Sequence, residues 1–258
     1  MISVVQLGRV DYATALKLQQ TLVELRKQGE IGDTLLLLEH TPVITLGRNA
    51  KRANVLASDE HLARTGVEVF ECDRGGDVTY HGPGQLVGYP IFDLRGFTPR
   101  VGAVGFVRRL EEVLIRTCAD FGIVTERVAG MTGVWTRQPE AKIAAIGVHI
   151  SRGVTSHGFA LNVTTDLNHF RLIVPCGISH KPVTSLDCEL AGKYAGTAVT
   201  PLTLEEVGES VARNFGRVFA SQILWVDTLD ALLGRTVGVP VKPPAELRAL
   251  HDDESFWA

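Results

Sequence analysis

The sequence predicts an α+β domain with mixed, largely antiparallel sheets and flanking helices. Short apolar strands come in clusters, and helices are inserted between the clusters. Strict alternation of strands and helices would instead indicate a parallel, doubly wound sheet. The composition agrees with an ordinary globular protein, since 45% of the 258 residues are hydrophobic and 21% are charged.

Charge and hydropathy argue against several classes of partner. The formal net charge of −3 provides no global reason to expect binding to nucleic acid or to an anionic membrane. No apolar run approaches the roughly 20 residues of a membrane span. Residues 1–12 also lack the basic and long apolar regions of a signal peptide. We therefore expect a cytoplasmic protein with no nucleic-acid or membrane partner.

Helices are predicted where a capping residue precedes apolar residues at helical spacing. Asp11 can cap the first helix, and Gly29 lies just past its end. Thr203 and Glu206 form the capping box of a later helix. The predicted helices cover about 11–27, 101–121, 203–220 and, as a short piece, 228–233.

Strands are expected where apolar residues alternate or run continuously over short stretches. They are 33–39, 43–47, 67–72, 87–94, 123–128, 133–136, 142–151 and 157–164. Residues 50–65 are predicted to form a loop and a short helix. With no linker visible, we assign one domain to residues 1–238 and an extended or poorly ordered tail to residues 239–258.

Cys176 is the candidate nucleophile among four cysteines, which show neither disulfide nor metal spacing. It lies between Pro175 and Gly177, where the backbone is constrained and the sulfur stays approachable. Only the thiolate is a good nucleophile, and a nearby cation stabilises it. Lys142, at the head of an apolar strand, can supply that cation or can be one more exposed lysine. We hypothesise that the two residues meet and that Cys176 carries an acyl group.

Histidines near these segments provide an alternative partner for the thiol. They are His81, His149, His157 and His180. No pair of them has the spacing of a metal site, so we expect no metal. Each is also compatible with a hydrogen-bonding or surface role.

The stretch 73–86 is rich in glycine, at positions 75, 76, 82 and 84. Glycines do not favour an ordinary strand, so the backbone is expected to bend here or to approach a ligand closely. A glycine-rich hairpin turn is the alternative interpretation.

Six blocks of this sequence resemble the signature of the lipoyl (octanoyl) transferases of the lipoate-assembly pathway. The longest are RGGDVTYHGPGQLVGYP at 74–90 and TSHGFALN at 155–162. The others are GVW at 133–135, KIAAIG at 142–147, IVPCGI at 173–178 and TSL at 184–186. They keep the family order and place a motif core at about 40–190, which argues against chance agreement.

This resemblance implies a fold and an activity. The fold is that of the biotin/lipoate ligase catalytic module, so the domain at 1–238 would be catalytic. The family moves an octanoyl group from the phosphopantetheine thiol of acyl carrier protein to a lysine of a lipoyl domain, through a cysteine thioester. The implied acceptors are the E2 subunits of 2-oxoacid dehydrogenases and the glycine cleavage H protein. Exchange of one thioester for another is nearly balanced in energy, so no cofactor is expected.

The resemblance also assigns residues by position. Cys176 matches the acyl-bearing cysteine, and Lys142 matches the partner that stabilises its thiolate. The segments that line the acyl pocket match Arg74, Gly75, Gly76, Asp77, Val78, Thr79, Tyr80, His81, Ala145, Ile146, Gly147, Gly158, Phe159 and Ala160. Gly75, Gly76 and Gly158 would let the backbone flank an alkyl chain. Val78, Tyr80 and Phe159 would form apolar walls.

Three other functions stay open on the same residues. An ATP-dependent lipoate or biotin ligase would share the fold and the lysine but needs no acyl-bearing cysteine. A non-catalytic protein that binds lipoyl domains or acyl groups would need no nucleophile. A thioesterase would release octanoate to water. Backbone N–H groups beside Cys176 or in the glycine-rich loop are the candidates for stabilising an oxyanion.

Overall fold

A computed structural model describes residues 1–137, 140–178, 181–194 and 200–233 of the chain. The predicted tail at 239–258 lies outside the described residues. The division into one domain and a tail therefore stays a prediction.

Eleven strands and six α-helices form the described part of the chain. The strands are β1 Ile2–Val10, β2 Asp33–His40, β3 Val43–Leu46, β4 Glu68–Glu71, β5 Val78–His81, β6 Gln85–Ile91, β7 Thr125–Val128, β8 Met131–Thr136, β9 Lys142–Ser151, β10 Val154–Asn162 and β11 Ile223–Trp225. The helices are α1 Tyr12–Gln28, α2 Asp59–Thr65, α3 Ala103–Asp120, α4 Leu186–Lys193, α5 Leu204–Val218 and α6 Leu229–Leu232. Short 3₁₀ turns occupy Arg52–Asn54, Leu94–Gly96, Leu167–Leu172 and Pro175–Gly177.

The strands form two sheets. The larger has eight strands in the order β11-β1-β2-β6-β10-β9-β8-β7, and the smaller has the order β4-β3-β5. In the larger sheet, β1 is parallel to both of its neighbours, and every other pair is antiparallel. In the smaller sheet, β3 is parallel to β4 and antiparallel to β5. The predicted α+β class with mixed, largely antiparallel sheets is confirmed.

Strand β2 shows why its sequence is a continuous apolar run. Successive side chains of a strand point to opposite faces of the sheet. Leu35 and Leu37 pack into the cluster that includes α3 and α5. Leu36 and Leu38 pack into the cluster that includes α1. Both faces of the large sheet are therefore covered, and every position of the strand must be apolar.

The predicted caps are present at both ends of α1 and at the start of α5. The Asp11 side chain accepts a hydrogen bond from the Thr14 N–H, and Gly29 takes the left-handed conformation at φ 79°. Thr203 and Glu206 form the predicted capping box. Local sequence therefore sets the bounds of these helices.

Four strands and helices of the described residues were not predicted: β1, β5, α4 and β11. Helix α4 buries only Leu186 and Leu190, so its apolar stripe is too short to recognise in the sequence. Strand β11 has three residues and exists through its parallel pairing with β1. Strand β5 forms inside the glycine-rich stretch, where we expected a bend, because β3 pairs with it along its whole length.

The described helices include none that is both long enough and apolar enough to cross a membrane.

Candidate active site

Lys142 and Cys176 are brought together by the fold. The Lys142 Nζ donates a hydrogen bond to the Cys176 Sγ at 3.2 Å. Lys142 is only 6% exposed, and its ammonium also lies over the Trp135 ring, 4.8 Å from the ring centroid. A cation that has lost its water is stabilised by an aromatic face and by a nearby anion. The fold therefore places the amino group of Lys142 directly against the Cys176 sulfur, while the catalytic role of the pair stays a prediction.

The turn that carries Cys176 has an uncommon backbone conformation. Cys176 has φ 55° and ψ 21°, in the left-handed region that few residues other than glycine adopt. Gly177 follows at φ 70°, and a Cβ added there would lie 2.7 Å from Oδ2 of Asp77. Left-handed residues held in place by their surroundings are frequent at functional sites. The glycine after the cysteine is thus required by its contact with Asp77.

Asn54 holds one side of this turn. Its backbone carbonyl accepts a hydrogen bond from the Val174 N–H at 2.7 Å. Its side-chain amide donates to Oδ2 of Asp77 at 2.5 Å. Asn54 therefore links the segment before Cys176 to the glycine-rich segment, and no local pattern in the sequence indicated this role.

A chain of hydrogen bonds holds the backbone of Lys142. The Thr184 N–H donates to the Lys142 carbonyl at 2.9 Å, and the Thr184 carbonyl accepts from the Asn162 side chain at 2.9 Å. Gln85 donates to the Asn162 Oδ1, and the Gln85 Oε1 bonds to Nδ1 of His81 at 2.8 Å. Thr184, Asn162 and Gln85 lie within the recognised blocks but had no predicted role, whereas His81 was predicted to line the acyl pocket. Together these residues position the lysine from three of the recognised blocks.

The turn at 47–49 holds the glycine-rich segment. The N–H groups of Gly47, Arg48 and Asn49 donate to the carbonyls of Asp77, Arg74 and Gly76, respectively. A Cβ on Gly47 would lie 2.5 Å from the Gly76 carbonyl oxygen. The sequence predicted this turn only as the end of a strand. In the structure, its N–H groups hold the backbone of residues 74–77 in place.

Arg74 is buried and directs its guanidinium toward strand β3. Its Nη2 donates to the Thr45 carbonyl at 2.6 Å, and its Nε donates to the Thr45 hydroxyl at 3.1 Å. Its Nη1 donates to the Gly75 carbonyl at 3.1 Å. A buried guanidinium needs such acceptors. Arg74 thereby joins the small sheet to the glycine-rich segment.

Asp73 pairs with two histidines at the other end of this segment. Its carboxylate lies 2.7 Å from Nε2 of His157 and 3.5 Å from Nε2 of His149. The hydrogen bond to His157 lowers the pKa of Asp73 to about 2, although partial burial opposes the shift. His157 has φ 55°, and its N–H donates to Oε1 of Gln19 at 2.7 Å. His157 is therefore a hydrogen-bonding residue, while His180 lies outside the described residues.

A cavity of about 220 Å³ opens at the Lys142–Cys176 pair and lies between the two sheets. All but two of the predicted site residues line it: Cys176, Lys142, Arg74, Gly75, Gly76, Asp77, Thr79, His81, Ala145, Ile146, Gly147, Gly158, Phe159 and Ala160. The lining also includes His157, which the sequence offered as an alternative partner for the thiol, and residues without a predicted role, namely Tyr12, Val87, Tyr89, Gly130, Met131, Thr132 and Ile178. Tyr12 and residues 130–132 lie outside the recognised blocks and carried no local signal.

Val78 and Tyr80 were predicted to form walls of the pocket, and this placement is wrong. They alternate along β5 with Thr79 and His81, which face the cavity. Val78 and Tyr80 instead belong to the apolar cluster of the small sheet, and Tyr80 stacks on His169 at 4.8 Å.

Of the three glycines predicted to flank an alkyl chain, Gly158 is required by protein packing and Gly75 lies in a tight packing contact. A Cβ on Gly158 would lie 2.1 Å from the Gly88 carbonyl oxygen. One on Gly75 would lie 3.1 Å from the Val148 carbonyl oxygen. Gly76 differs, because at φ 90° its nearest neighbour would be a nitrogen of Arg74 at 3.6 Å. Only Gly76 therefore matches the expected open position.

No group of three or more histidine, cysteine or acidic side chains could hold a metal ion in the described ranges.

Known proteins with related sequences share one family. A model of the lipoyl protein ligase A/B catalytic domain matches residues 11–216. An octanoyltransferase of Koribacter versatilis is 64% identical over 255 residues, which cover 98% of each chain. An octanoyltransferase of Acidobacterium capsulatum is 62% identical over 242 residues, which cover 90% of this chain and 96% of the relative.

A solved structure shares the fold at low sequence identity. It belongs to an archaeal lipoylation system of Thermoplasma acidophilum, described as a bi-partite lipoate protein ligase and its E2 lipoyl domain. The match covers 91% of both chains, with a TM-score of 0.66 and 16% identity. This similarity confirms the predicted lipoate-ligase fold over 91% of the chain. The family model and the two relatives show that the chain belongs to the octanoyltransferase family, within the lipoyl protein ligase A/B catalytic domains.

Proposed function

We propose that this chain transfers an octanoyl group from the phosphopantetheine thiol of acyl carrier protein to a lysine of a lipoyl domain, through a thioester on Cys176. The observation that carries the proposal is the 3.2 Å contact between the Lys142 Nζ and the Cys176 Sγ at a partly apolar cavity. The family supports it, since the close relatives are octanoyltransferases.

The first half of the reaction is an exchange of thioesters. The Cys176 thiolate attacks the octanoyl carbonyl, so a bond forms between its sulfur and the carbonyl carbon. The bond from that carbon to the carrier sulfur breaks, and the departing thiolate takes a proton from the Lys142 ammonium. Lys142 is then neutral, and no nucleotide is consumed because one thioester replaces another.

The second half forms an amide. The amine of the acceptor lysine attacks the Cys176 thioester, a carbon–nitrogen bond forms, and the Cys176 sulfur leaves. The neutral Lys142 accepts the proton that the amine loses, as a general base within reach of the sulfur. This returns the ammonium and thiolate of the starting state. Holding two substrates in turn over one sulfur is catalysis by positioning.

The oxyanion of each half-reaction needs hydrogen-bond donors. The N–H groups of Gly177 and Ile178 already donate to the carbonyls of Val174 and Pro175 within the turn. The remaining donors proposed from the sequence are the Cys176 N–H and those of the glycine-rich segment. Gly76 and Asp77 of that segment line the cavity with Cys176, so we assign the oxyanion site to this group.

The acceptors that we propose are the E2 subunits of 2-oxoacid dehydrogenases and the glycine cleavage H protein. The cytoplasmic setting and the absence of a cofactor also remain predictions.

An intact-mass experiment tests the proposal. The protein is incubated with octanoyl acyl carrier protein in the absence of nucleotide. We expect a mass increase of one octanoyl group on Cys176, and its disappearance when a lipoyl domain is added. Cys176→Ser should prevent formation of the thioester, whereas Cys188→Ser, at an exposed cysteine, should not.

Three results would each favour a different function. Transfer that depends absolutely on ATP would indicate a ligase. Normal partner binding and full complementation of a transferase-null strain by Cys176→Ser would indicate a non-catalytic role. Rapid release of octanoate without an acceptor would indicate a thioesterase.

A further inference from the structure

The cavity contains a group of buried rings away from Cys176. Tyr12 begins helix α1, Tyr89 lies in β6, and His157 lies in β10. They are 1%, 4% and 2% exposed, and all three line the cavity. The rings of Tyr89 and His157 meet edge to face, with centroids 6.3 Å apart. We call these three residues the end wall.

Strand pairing shows how far the end wall lies from the reactive pair. Lys142 begins β9, and Gly147 of the same strand pairs with Gly158, the neighbour of His157. Five residues of extended strand span about 16 Å. An extended eight-carbon chain spans about 10 Å, given carbon–carbon bonds of about 1.5 Å. The methyl end also needs a contact distance of about 4 Å to the atoms that it touches. An acyl chain that starts at the Cys176 sulfur and follows β9 therefore reaches about 14 Å, close to the wall.

A buried histidine fixes Tyr89 from behind. The Tyr89 hydroxyl lies 2.7 Å from Nε2 of His40, whose Nδ1 lies 2.8 Å from the Val10 carbonyl oxygen. The carbonyl can only accept, so the proton of His40 is on Nδ1, and the Tyr89 hydroxyl donates to Nε2. Moving the tyrosine would leave buried polar groups without partners, which is costly.

Tyr12 is fixed by the packing of α1. Its ring contacts those of His40 and Phe70, with both centroid separations 5.3 Å. Gln19 of the same helix accepts the hydrogen bond from the His157 N–H. The helix thus holds two of the three rings of the wall in place.

The groups at the wall favour an uncharged neighbour at neutral pH. Burial lowers the pKa of His40 to about 4 and raises the pKa values of Tyr12 and Tyr89. The guanidinium of nearby Arg74 is directed to Thr45 instead. The neutral tyrosine rings can therefore meet the methyl end of an alkyl chain.

We propose that Tyr12 and Tyr89, with His40 behind them, set the longest acyl chain that the enzyme accepts. This inference rests on the proposed function, because it concerns the acyl group on Cys176. Chains longer than octanoyl would have to displace the Tyr89 ring, which its hydrogen bond to His40 fixes, and the Tyr12 ring, which packing fixes. Shorter chains would fit but bury less apolar surface.

The experiment compares acyl donors of six, eight, ten and twelve carbons. The rate of adduct formation on Cys176 is measured by intact mass for the parent, Tyr89→Leu and Tyr12→Leu. We expect the decanoyl-to-octanoyl rate ratio to rise roughly tenfold in each leucine variant, the effect of burying two further methylenes. Tyr89→Phe keeps the ring but loses the hydrogen bond to His40, so it should raise this ratio less than Tyr89→Leu does.

A second variant tests the same limit without opening the wall. Val87 lines the cavity next to Tyr89, so Val87→Phe should shift the preference toward hexanoyl. It decides the question if the leucine variants do not fold. Phe106→Leu is the matched control, because it removes a buried ring from the cluster on the opposite face of the sheet. Its chain-length profile should match that of the parent.

The outcomes separate this inference from the proposed function. If folded Tyr89→Leu, Tyr12→Leu and Val87→Phe all keep the parent's chain-length profile while octanoyl labels Cys176, the end-wall proposal is overturned and the proposed function stands. If no donor labels Cys176 in the parent protein, the proposed function fails, and this inference fails with it.

Discussion

The Lys142 Nζ lies 3.2 Å from the Cys176 Sγ, although the two residues are 34 positions apart in the chain. The contact depends on the segment after Cys176, which returns to pair with the backbone of Lys142. Val183 forms a parallel bridge with Lys142, and the Thr184 N–H donates to the Lys142 carbonyl. Cys176 and Lys142 are thus held together through the backbone that pairs at Val183 and Thr184.

Replacement of Lys142 by alanine should make the thiolate form of Cys176 less favourable and should slow the transfer reaction. The thiolate loses its nearest cation, so alkylation of Cys176 by iodoacetamide should require a higher pH. Transfer to a lipoyl domain should fall by about 100-fold or more, because a general acid and base is lost. Lys193→Ala is the control, since that lysine donates to the Gly122 carbonyl on the surface. An unchanged alkylation profile in Lys142→Ala would refute the pairing.

Removal of Glu111 should disturb the support beneath Lys142. Glu111 is fully buried, pairs with Arg108 and Arg127, and accepts a hydrogen bond from the Gly133 N–H at 3.2 Å. A Cβ on Gly133 would lie 3.5 Å from Cε of Lys142, so this glycine lies against the lysine stem. Glu111→Ala should reduce the free energy of unfolding by about 2–4 kcal/mol, measured in urea.

The conservative variant separates charge from positioning. Glu111→Gln retains an oxygen for the Gly133 N–H and should keep more transfer activity than Glu111→Ala. The transfer rates of both variants are measured at temperatures below their unfolding transitions, so that folded proteins are compared. Equal stability of the alanine variant and the parent would contradict the role of Glu111.

The stability of the protein should fall as the pH drops from about 6.5 toward 4. Burial lowers the pKa of His40 from its usual value near 6.5 to about 4. Between these values the unfolded chain binds a proton that the folded chain does not, so acid favours unfolding. Burial lowers the pKa of His81 in the same direction. The difference between the two pKa values of His40 corresponds to about 3 kcal/mol of unfolding free energy. This stability is fully present above pH 6.5 and is lost at about pH 4.

Urea titrations at several pH values measure this effect. His40→Gln should flatten the dependence of the unfolding free energy on pH across this window. His61→Gln, on the short helix α2, should retain it. Parallel pH profiles for His40→Gln and the parent would show that His40 does not titrate as expected.

Gly158→Ala should destabilise the protein rather than shorten the accepted acyl chain. The new Cβ would lie 2.1 Å from the Gly88 carbonyl oxygen, so two paired strands must move apart. A loss of about 2 kcal/mol or more is expected from such overpacking. The matched substitution Gly105→Ala, in α3, meets only a Val101 methyl at 3.5 Å and should stabilise by roughly 0.5–1 kcal/mol.

Thermal unfolding and the chain-length assay together distinguish the two roles of this glycine. A shortened chain preference in a fully stable Gly158→Ala variant would restore the original ligand interpretation.

Elements with strong local signals were predictable from the sequence. Helix α1 has its cap at Asp11 and its left-handed stop at Gly29, and α5 has the capping box of Thr203 and Glu206. Strand β2 has a continuous apolar run because both of its faces are covered. The weaker elements, such as the three-residue β11, depend on a partner strand and leave no pattern of their own.

The sequence also indicated which segments are candidates for the chemistry, because residue types such as those of the Pro175-Cys176-Gly177 turn can be recognised without a structure. How the cavity is closed depends on the tertiary structure. Tyr12 and Tyr89 belong to different elements and share the cavity only because α1 packs on the large sheet. Val78 and Tyr80 lie in a recognised block yet face away from the cavity, because the pairing of β5 with β3 sets which face of the strand each side chain occupies. Caps and apolar periods act within a few residues, whereas the walls of a cavity are set by strand register and helix packing between distant segments.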